Sequence, residues 1–185
     1  MLKFIIAGKR YAAILYLFFF SCILITACSP GNGSPDLKNS YKNDLESYEG
    51  WLGINGWYLY TRDAHSGQHC IETNATTAVY SLTYARKLSE LTSYPVKKIS
   101  LSIWVKTSQP DSKGDYVLSF EENSITLAYY SFSTDDVAKS TDNWYPVKGE
   151  VELPKGIGKN AIMKIYFWNK GQSTILVDDF EFSLH

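Results

Sequence analysis

Hydrophobic and polar residues alternate along most of this chain with a period of two. In KKISLSIWVKTS, Ile99, Leu101, Ile103 and Val105 alternate with Ser100, Ser102, Trp104 and Lys106. In DYVLSFEE, Tyr116, Leu118 and Phe120 fall on one side. In NAIMKIYFWNK, Ala161, Met163, Ile165 and Phe167 share a face, and Lys164, Tyr166 and Trp168 share the other. A strand sends successive side chains to opposite faces, so this period predicts strands with one face buried. Further strands are expected at 45–52, 57–61, 68–73, 77–86, 125–132 and 144–153, and in the closing run from 173. The stretches HSG, PDSKGD, STDD and PKGIGKN supply turns between them. Arg86–Leu91 admits one short helical turn, and no long amphipathic helix or internal repeat is present. So many short strands at this spacing predict an all-β fold, an antiparallel β-sandwich.

The first residues break the pattern. Lys3, Lys9 and Arg10 precede YAAILYLFFFSCILITAC, an apolar run that ends on small residues, the order of an export signal. The junction Ile25-Thr26-Ala27-Cys28 resembles the bacterial lipobox. That resemblance implies cleavage before Cys28 and lipidation of its thiol and amine, and several acyl chains make a stable anchor. An uncleaved membrane-spanning helix is the alternative. In both cases the basic flank stays inside and the domain is exported, and with the lipid anchor it is expected at the cell envelope, at the outer membrane or the cell surface. The organisation read from the sequence is a lipoprotein signal over 1–27, a flexible tether over 28–40 and a β-sandwich domain over 41–185. The tether, SPGNGSPDLKNS after Cys28, reaches at most roughly 40 Å.

Composition then narrows the function classes. Of the chain's 18 basic residues three lie in residues 1–27, which hold no acid, so 15 remain against 19 acidic residues, a net of −4. No basic stripe is present to attract nucleic acid. Cys22 leaves with the signal and Cys28 is acylated, so Cys70 is the one remaining thiol and no internal disulfide forms. The 14 tyrosines fit strands and wet binding surfaces.

The closing run STILVDDFEFSLH holds two adjacent carboxylates. By parity Asp178 shares a face with Leu176, Phe180, Phe182 and Leu184, and Asp179 goes with Val177 and Glu181. The first face carries the larger aromatic load and reads as the core side. Asp178 then needs a cation or hydrogen-bond donors, because a buried unpaired carboxylate is costly.

Four stretches, NDLESYEGW, SGQHCIET, VKKISLSIWVKTS and NWYPVKGEVELP followed by IYFWNKGQSTILVDDFEF, occur in an order that resembles the galactose-binding-like jelly rolls. Within that group the chain is similar to the carbohydrate-binding modules attached to glycan-degrading enzymes. DLES stands where those modules more usually carry Asn-Gly-Phe-Glu. The resemblance implies a jelly-roll sandwich, a glycan partner and a structural Ca²⁺ with Glu46 and Asp178 among its oxygen ligands. The alternative for Asp178 is satisfaction by backbone amides of a neighbouring loop.

Other chemistry finds little support. His65, His69 and Cys70 are close in AHSGQHC, but Gly67 sets them in a turn, and a strand from Gln68 sends His69 and Cys70 to opposite faces. Cys70 reads as a small core residue. There is no Gly-x-Ser-x-Gly elbow, and Glu121 and Glu122, neighbours on a strand, point apart and read as a strand end in solvent. The chain is therefore expected to bind and not to catalyse. Trp104 with its serine and lysine parity mates, and Trp168 with Tyr166 and Lys164, place flat apolar plates beside hydrogen-bonding groups, a pairing suited to sugars. The alternative is that loops cover these tryptophans as a minor core. Trp51 and Trp57 are contacts or loop plugs, Trp144 is expected to pack, and one of Tyr129 and Tyr130 faces each way. The expected function is non-catalytic carbohydrate binding by a lipid-anchored envelope protein. The rival is an envelope structural or protein-interaction sandwich without a sugar site.

Overall fold

The computed structural model describes residues 39–46, 51, 59–60, 62–141 and 143–185. The expected signal, Cys28, most of the tether, Trp57 and most of the strand at 45–52 lie outside the described residues. Ten strands follow in chain order: β1 Ser40–Asn43, β2 Leu59–Tyr60, β3 Cys70–Thr73, β4 Tyr80–Lys87, β5 Lys98–Thr107, β6 Gly114–Glu122, β7 Ile125–Ser133, β8 Tyr145–Glu152, β9 Ile162–Asn169 and β10 Ile175–Leu184. Among the described residues a short helix, α1 (Leu88–Leu91), lies at the expected turn between β4 and β5, and a 3₁₀ turn covers Thr134–Asp136. The opening strand sits earlier than the alternation placed it, at Ser40–Asn43, and Leu45 takes a positive φ of 63° just after it.

Two antiparallel sheets form. One runs β2-β3-β10-β5-β8, with β1 also paired to β10, and the other runs β4-β9-β6-β7. Alternation accounts for the core between them. Ile99, Leu101, Ile103 and Val105 of β5 face Met163, Ile165 and Phe167 of β9 and Tyr116, Leu118 and Phe120 of β6 across one continuous cluster. Trp51 plugs this core at 5% exposure, its ring 4.4 Å from that of Tyr84 and 5.8 Å from that of Phe182. The core formed by the described residues lies within Leu37–His185, which forms one compact unit by itself. Its apolar content is that of an independently folding domain.

Parity fails with most effect on β10, although the register also shifts between Tyr80 and Thr83 of β4 and between Phe120 and Glu121 where β6 meets β7. β10 pairs Asp178 with Trp104 and then Glu181 with Ser102, so two residues oppose one across a β-bulge. Asp179 adopts φ 48° there. An extra residue reverses the alternation beyond it. Phe180, Phe182 and Leu184 therefore share the core with Ile175 and Val177, not with Leu176 and Asp178. Asp178 stands opposite Trp104, whose parity mates are polar, on the outer side of the sheet.

Candidate functional site

The outer face of the β4-β9-β6-β7 sheet collects the aromatic residues that the core does not use. On β9, Lys164, Tyr166 and Trp168 alternate outward, in register with Ala85, Thr83 and Tyr80 of β4. On the other side of β9 they meet Ser119, Val117 and Asp115 of β6. Val117 and Ser119 are buried although they belong to this outer face, so larger neighbours cover them. Tyr129 of β7 pairs with Ser119 and projects outward at 47% exposure, whereas Tyr130 packs against the core.

The rings form a connected group. Tyr80 stacks on Trp168 with centroids 6.0 Å apart and meets Tyr166 edge-on at 5.8 Å. The Tyr166 and Tyr129 hydroxyls are hydrogen bonded. Burial pushes the Tyr166 hydroxyl up to about 12, so it stays protonated. Lys164 pairs with Glu121 at 2.5 Å near one end of the patch, and Lys170 pairs with Asp115 at 2.8 Å near the other. Along β6, Asp115 and Glu121 are about 20 Å apart at about 3.4 Å per residue. A cleft of about 280 Å³ is lined by Tyr80, Thr83, Glu121, Lys164 and Tyr166.

Three of the residues singled out by alternation, Lys164, Tyr166 and Trp168, thus stand together. Trp104 does not join them. It lies on β5 in the other sheet. The His65 ring covers it at 3.8 Å, nearly parallel, and Trp144 meets His65 edge-on at 5.7 Å. Trp104 and Trp168 therefore do not share one face, because their strands belong to different sheets, and the His65 ring of the 62–69 loop stacks on Trp104. Sequence reasoning missed Tyr80 and set Glu121 aside as a strand end. Glu121 alternates outward on β6, but Tyr80 has the parity of the core residues Leu82 and Tyr84 and faces outward only because the register shifts between Tyr80 and Thr83, so neither could be joined to β9 without the strand pairing.

Loop 62–69 is held over the first sheet by three carboxylates. The Asp178 side chain is fully buried. Its Oδ2 accepts the N–H groups of His65 at 2.8 Å and Ser66 at 3.2 Å, and its Oδ1 accepts that of Asp179 at 2.7 Å. Burial pushes this carboxyl up to about 6 in spite of those donors. Asp179 is held below its usual value: burial opposes ionisation, but His65 at 2.6 Å, Lys42 at 3.0 Å and Ser66 at 2.9 Å outweigh it. Glu46 accepts the N–H groups of Gln68 at 2.6 Å and His69 at 2.7 Å, and meets the His69 ring at 2.9 Å. Gly67 has φ +60°, and a Cβ there would collide with the Glu46 carboxylate, so the loop needs glycine at this point.

This geometry bears on the calcium expectation. Ca²⁺ takes six to eight oxygen ligands. Glu46 and Asp178 instead face N–H donors, whose positive ends favour a carboxylate and oppose a cation. Among the described residues no group of three or more His, Cys, Asp or Glu is placed to hold a metal ion. As arranged, these residues do not fit calcium, and the backbone amides of the neighbouring loop satisfy Asp178. The Asp179–His65 pair is not a hydrolytic triad either, because Ser66 bonds to Asp179 and the imidazole lies flat on Trp104. Cys70 is buried, and burial and the nearby Asp178 push its thiol up to about 12, which makes it inert.

No family model and no curated protein matches the chain. Solved structures do. The C-terminal family 22 carbohydrate-binding module of Clostridium thermocellum Xyn10B aligns with a TM-score of 0.58 at 16% identity, over 81% of this chain and 97% of that one. The CBM22-2 xylan-binding domain of Paenibacillus barcinonensis Xyn10C aligns with a TM-score of 0.56 at 14% identity, over 78% and 99%. A CBM35 module from Cellvibrio japonicus Abf62 gives 0.52 at 11%, over 77% and 91%. At such identities the likeness shows the fold alone: the domain is a jelly-roll β-sandwich of the kind seen in carbohydrate-binding modules.

Proposed function

We propose that this chain is a non-catalytic, lipid-anchored carbohydrate-binding protein of the bacterial cell envelope, with its glycan lying across the outer face of the β4-β9-β6-β7 sheet. The observation that carries this reading is the ring group of Tyr80, Tyr166 and Trp168 set between two ion pairs. A sugar presents an apolar C–H face and a hydroxyl edge. Aromatic planes take the first, and the Lys164, Glu121, Asp115 and Lys170 side chains take the second. Neighbours of the same fold that are described as xylan-binding support the reading and make xylan the first polysaccharide to test. The anchor and the envelope location rest on the lipobox-like junction at Cys28.

The test is affinity electrophoresis of segment 37–185 through gels containing soluble polysaccharides, xylan among them. At least one gel retards the parent. Trp168→Ala and Tyr166→Ala each weaken retention about tenfold, the order expected for loss of one stacked ring. Trp104→Ala leaves retention intact. A parent retarded by none of the polysaccharides would overturn the sugar site and favour an envelope interaction protein instead.

A further inference from the structure

One end of the sandwich gathers groups that the carbohydrate site does not use. Two connections meet there, 92–97 between α1 and β5 and 153–160 between β8 and β9. Their sequences, TSYPVK and LPKGIGKN, contain no Asp or Glu. Tyr94 stands 74% exposed on the first. Beside it a cavity of about 460 Å³ is floored by Leu88, Val96, Leu153 and Ile157, with Lys159 among its lining. Lys97, Lys155 and Lys159 are exposed, and they form no ion pair with a described residue. Lys98, at the same end, pairs with Glu150 at 3.1 Å, and Lys42, Lys106, Lys164 and Lys170 pair elsewhere in the domain. The acids at this end stand at its margin. Glu152 is opposite Lys98 on the last pair of β5 and β8, Glu90 is on α1, and Glu122 comes within 4.0 Å of the Cβ position of Gly158.

The chain also enters the domain at this end. The Asn39 carbonyl accepts the N–H of Leu184, and the His185 carbonyl accepts those of Lys97 and Lys98. Asn39 therefore lies beside the 92–97 connection. Cys28 lies eleven residues before Asn39, a reach of at most roughly 40 Å.

We infer that this tip rests on the surface of an anionic phospholipid bilayer, the lysines among the phosphates and Tyr94 at headgroup depth over the apolar cavity. Tyrosine favours that depth because its ring is apolar and its hydroxyl is wet. Unpaired lysines gain most from an anionic surface, since they give up no protein partner to reach it. Tethering at Cys28 would raise the local concentration of bilayer, but the tip chemistry stands without it. The strands run away from this end, so a domain seated here keeps its aromatic sheet face off the membrane.

Segment 37–185 tests this independently of Cys28. An environment-sensitive dye is placed on Tyr94→Cys, and in a control on Asp111→Cys, in the β5–β6 connection at the opposite end of the sandwich; Cys70 is buried and does not compete. With vesicles containing phosphatidylglycerol at low salt, the dye at 94 shifts to the blue and is quenched by brominated lipid. High salt reverses this, and the dye at 111 is unchanged. Neutralising Lys97, Lys155 and Lys159 together to Ala weakens vesicle binding about a hundredfold, about fivefold for each lysine. The same triple variant keeps its retention on polysaccharide gels, so failure here and failure of the sugar site are separate results. No response at 94, an equal response with pure phosphatidylcholine, or a response to an acidic polysaccharide without one to vesicles would each overturn the inference.

Discussion

Replacing Asp178 by asparagine isolates the charge of a side chain that the fold buries completely. Burial pushes its carboxyl up to about 6 from an ordinary 3.8. The folded state thus holds a proton more tightly than the unfolded chain does. Stability from this group is fully present below the unfolded value and is lost as the pH rises through the folded one. At about 1.4 kcal/mol per pH unit over a window of about two units, Asp178 removes roughly 3 kcal/mol between about pH 4 and pH 7. Asparagine keeps the size and one acceptor oxygen but cannot ionise, so this part of the pH dependence vanishes. Asp179 has the opposite sign, since its depressed carboxyl adds stability that is lost on acidification; it is present in both chains and largely cancels in their comparison. Urea titrations of segment 37–185 and of its Asp178→Asn variant, followed by tryptophan fluorescence at several pH values, give the difference in unfolding free energy. Parent minus variant should fall by roughly 3 kcal/mol from acid to neutral pH. A difference that stays flat, or rises, would refute the reasoning. Asp178→Ala is the harsher change. It leaves the N–H groups of His65, Ser66 and Asp179 without their acceptor, at about 1–3 kcal/mol for each one that stays dry, so it should lie below the asparagine variant at every pH.

Three further outcomes are expected. Millimolar calcium and excess chelator should give the same melting temperature; a bound native-state ion in hundredfold excess would add roughly 2.7 kcal/mol, and such a rise would show that Glu46 and Asp178 turn toward a cation. Trp104→Ala should cost about 2–4 kcal/mol in urea unfolding, because it removes the surface on which His65 lies; a loss under about 0.5 kcal/mol would mean that the loop does not depend on this stack. Cys28→Ala should leave an uncleaved precursor that takes up no labelled fatty acid, and normal processing of this variant would end the lipoprotein reading.

Much of the sandwich was legible because the period of two is a local property. Ile99 to Val105 and Met163 to Phe167 face inward as the alternation says, and each strand needs only its own residues to decide this. The same local rule placed Lys164, Tyr166 and Trp168 on one outward face. It failed at β10, where a single residue in a left-handed conformation, Asp179, reverses the order beyond it. Nothing in VDDF marks that bulge, since it is stabilised by partners far away in sequence: Lys42, His65 and Ser66. Which tryptophan would join the tyrosines was equally out of reach. Trp104 and Trp168 have the same alternating surroundings along the chain, and only the assignment of β5 and β9 to opposite layers, with loop 62–69 over one of them, separates them. Tyr80 meets Trp168, and Glu121 meets Lys164, only through strand pairing. The sequence by itself determined which side of most strands is apolar, because that is fixed by side-chain alternation. The tertiary structure decided which outer faces stay open and which carboxylates find donors, because both depend on contacts between segments that alternation does not connect.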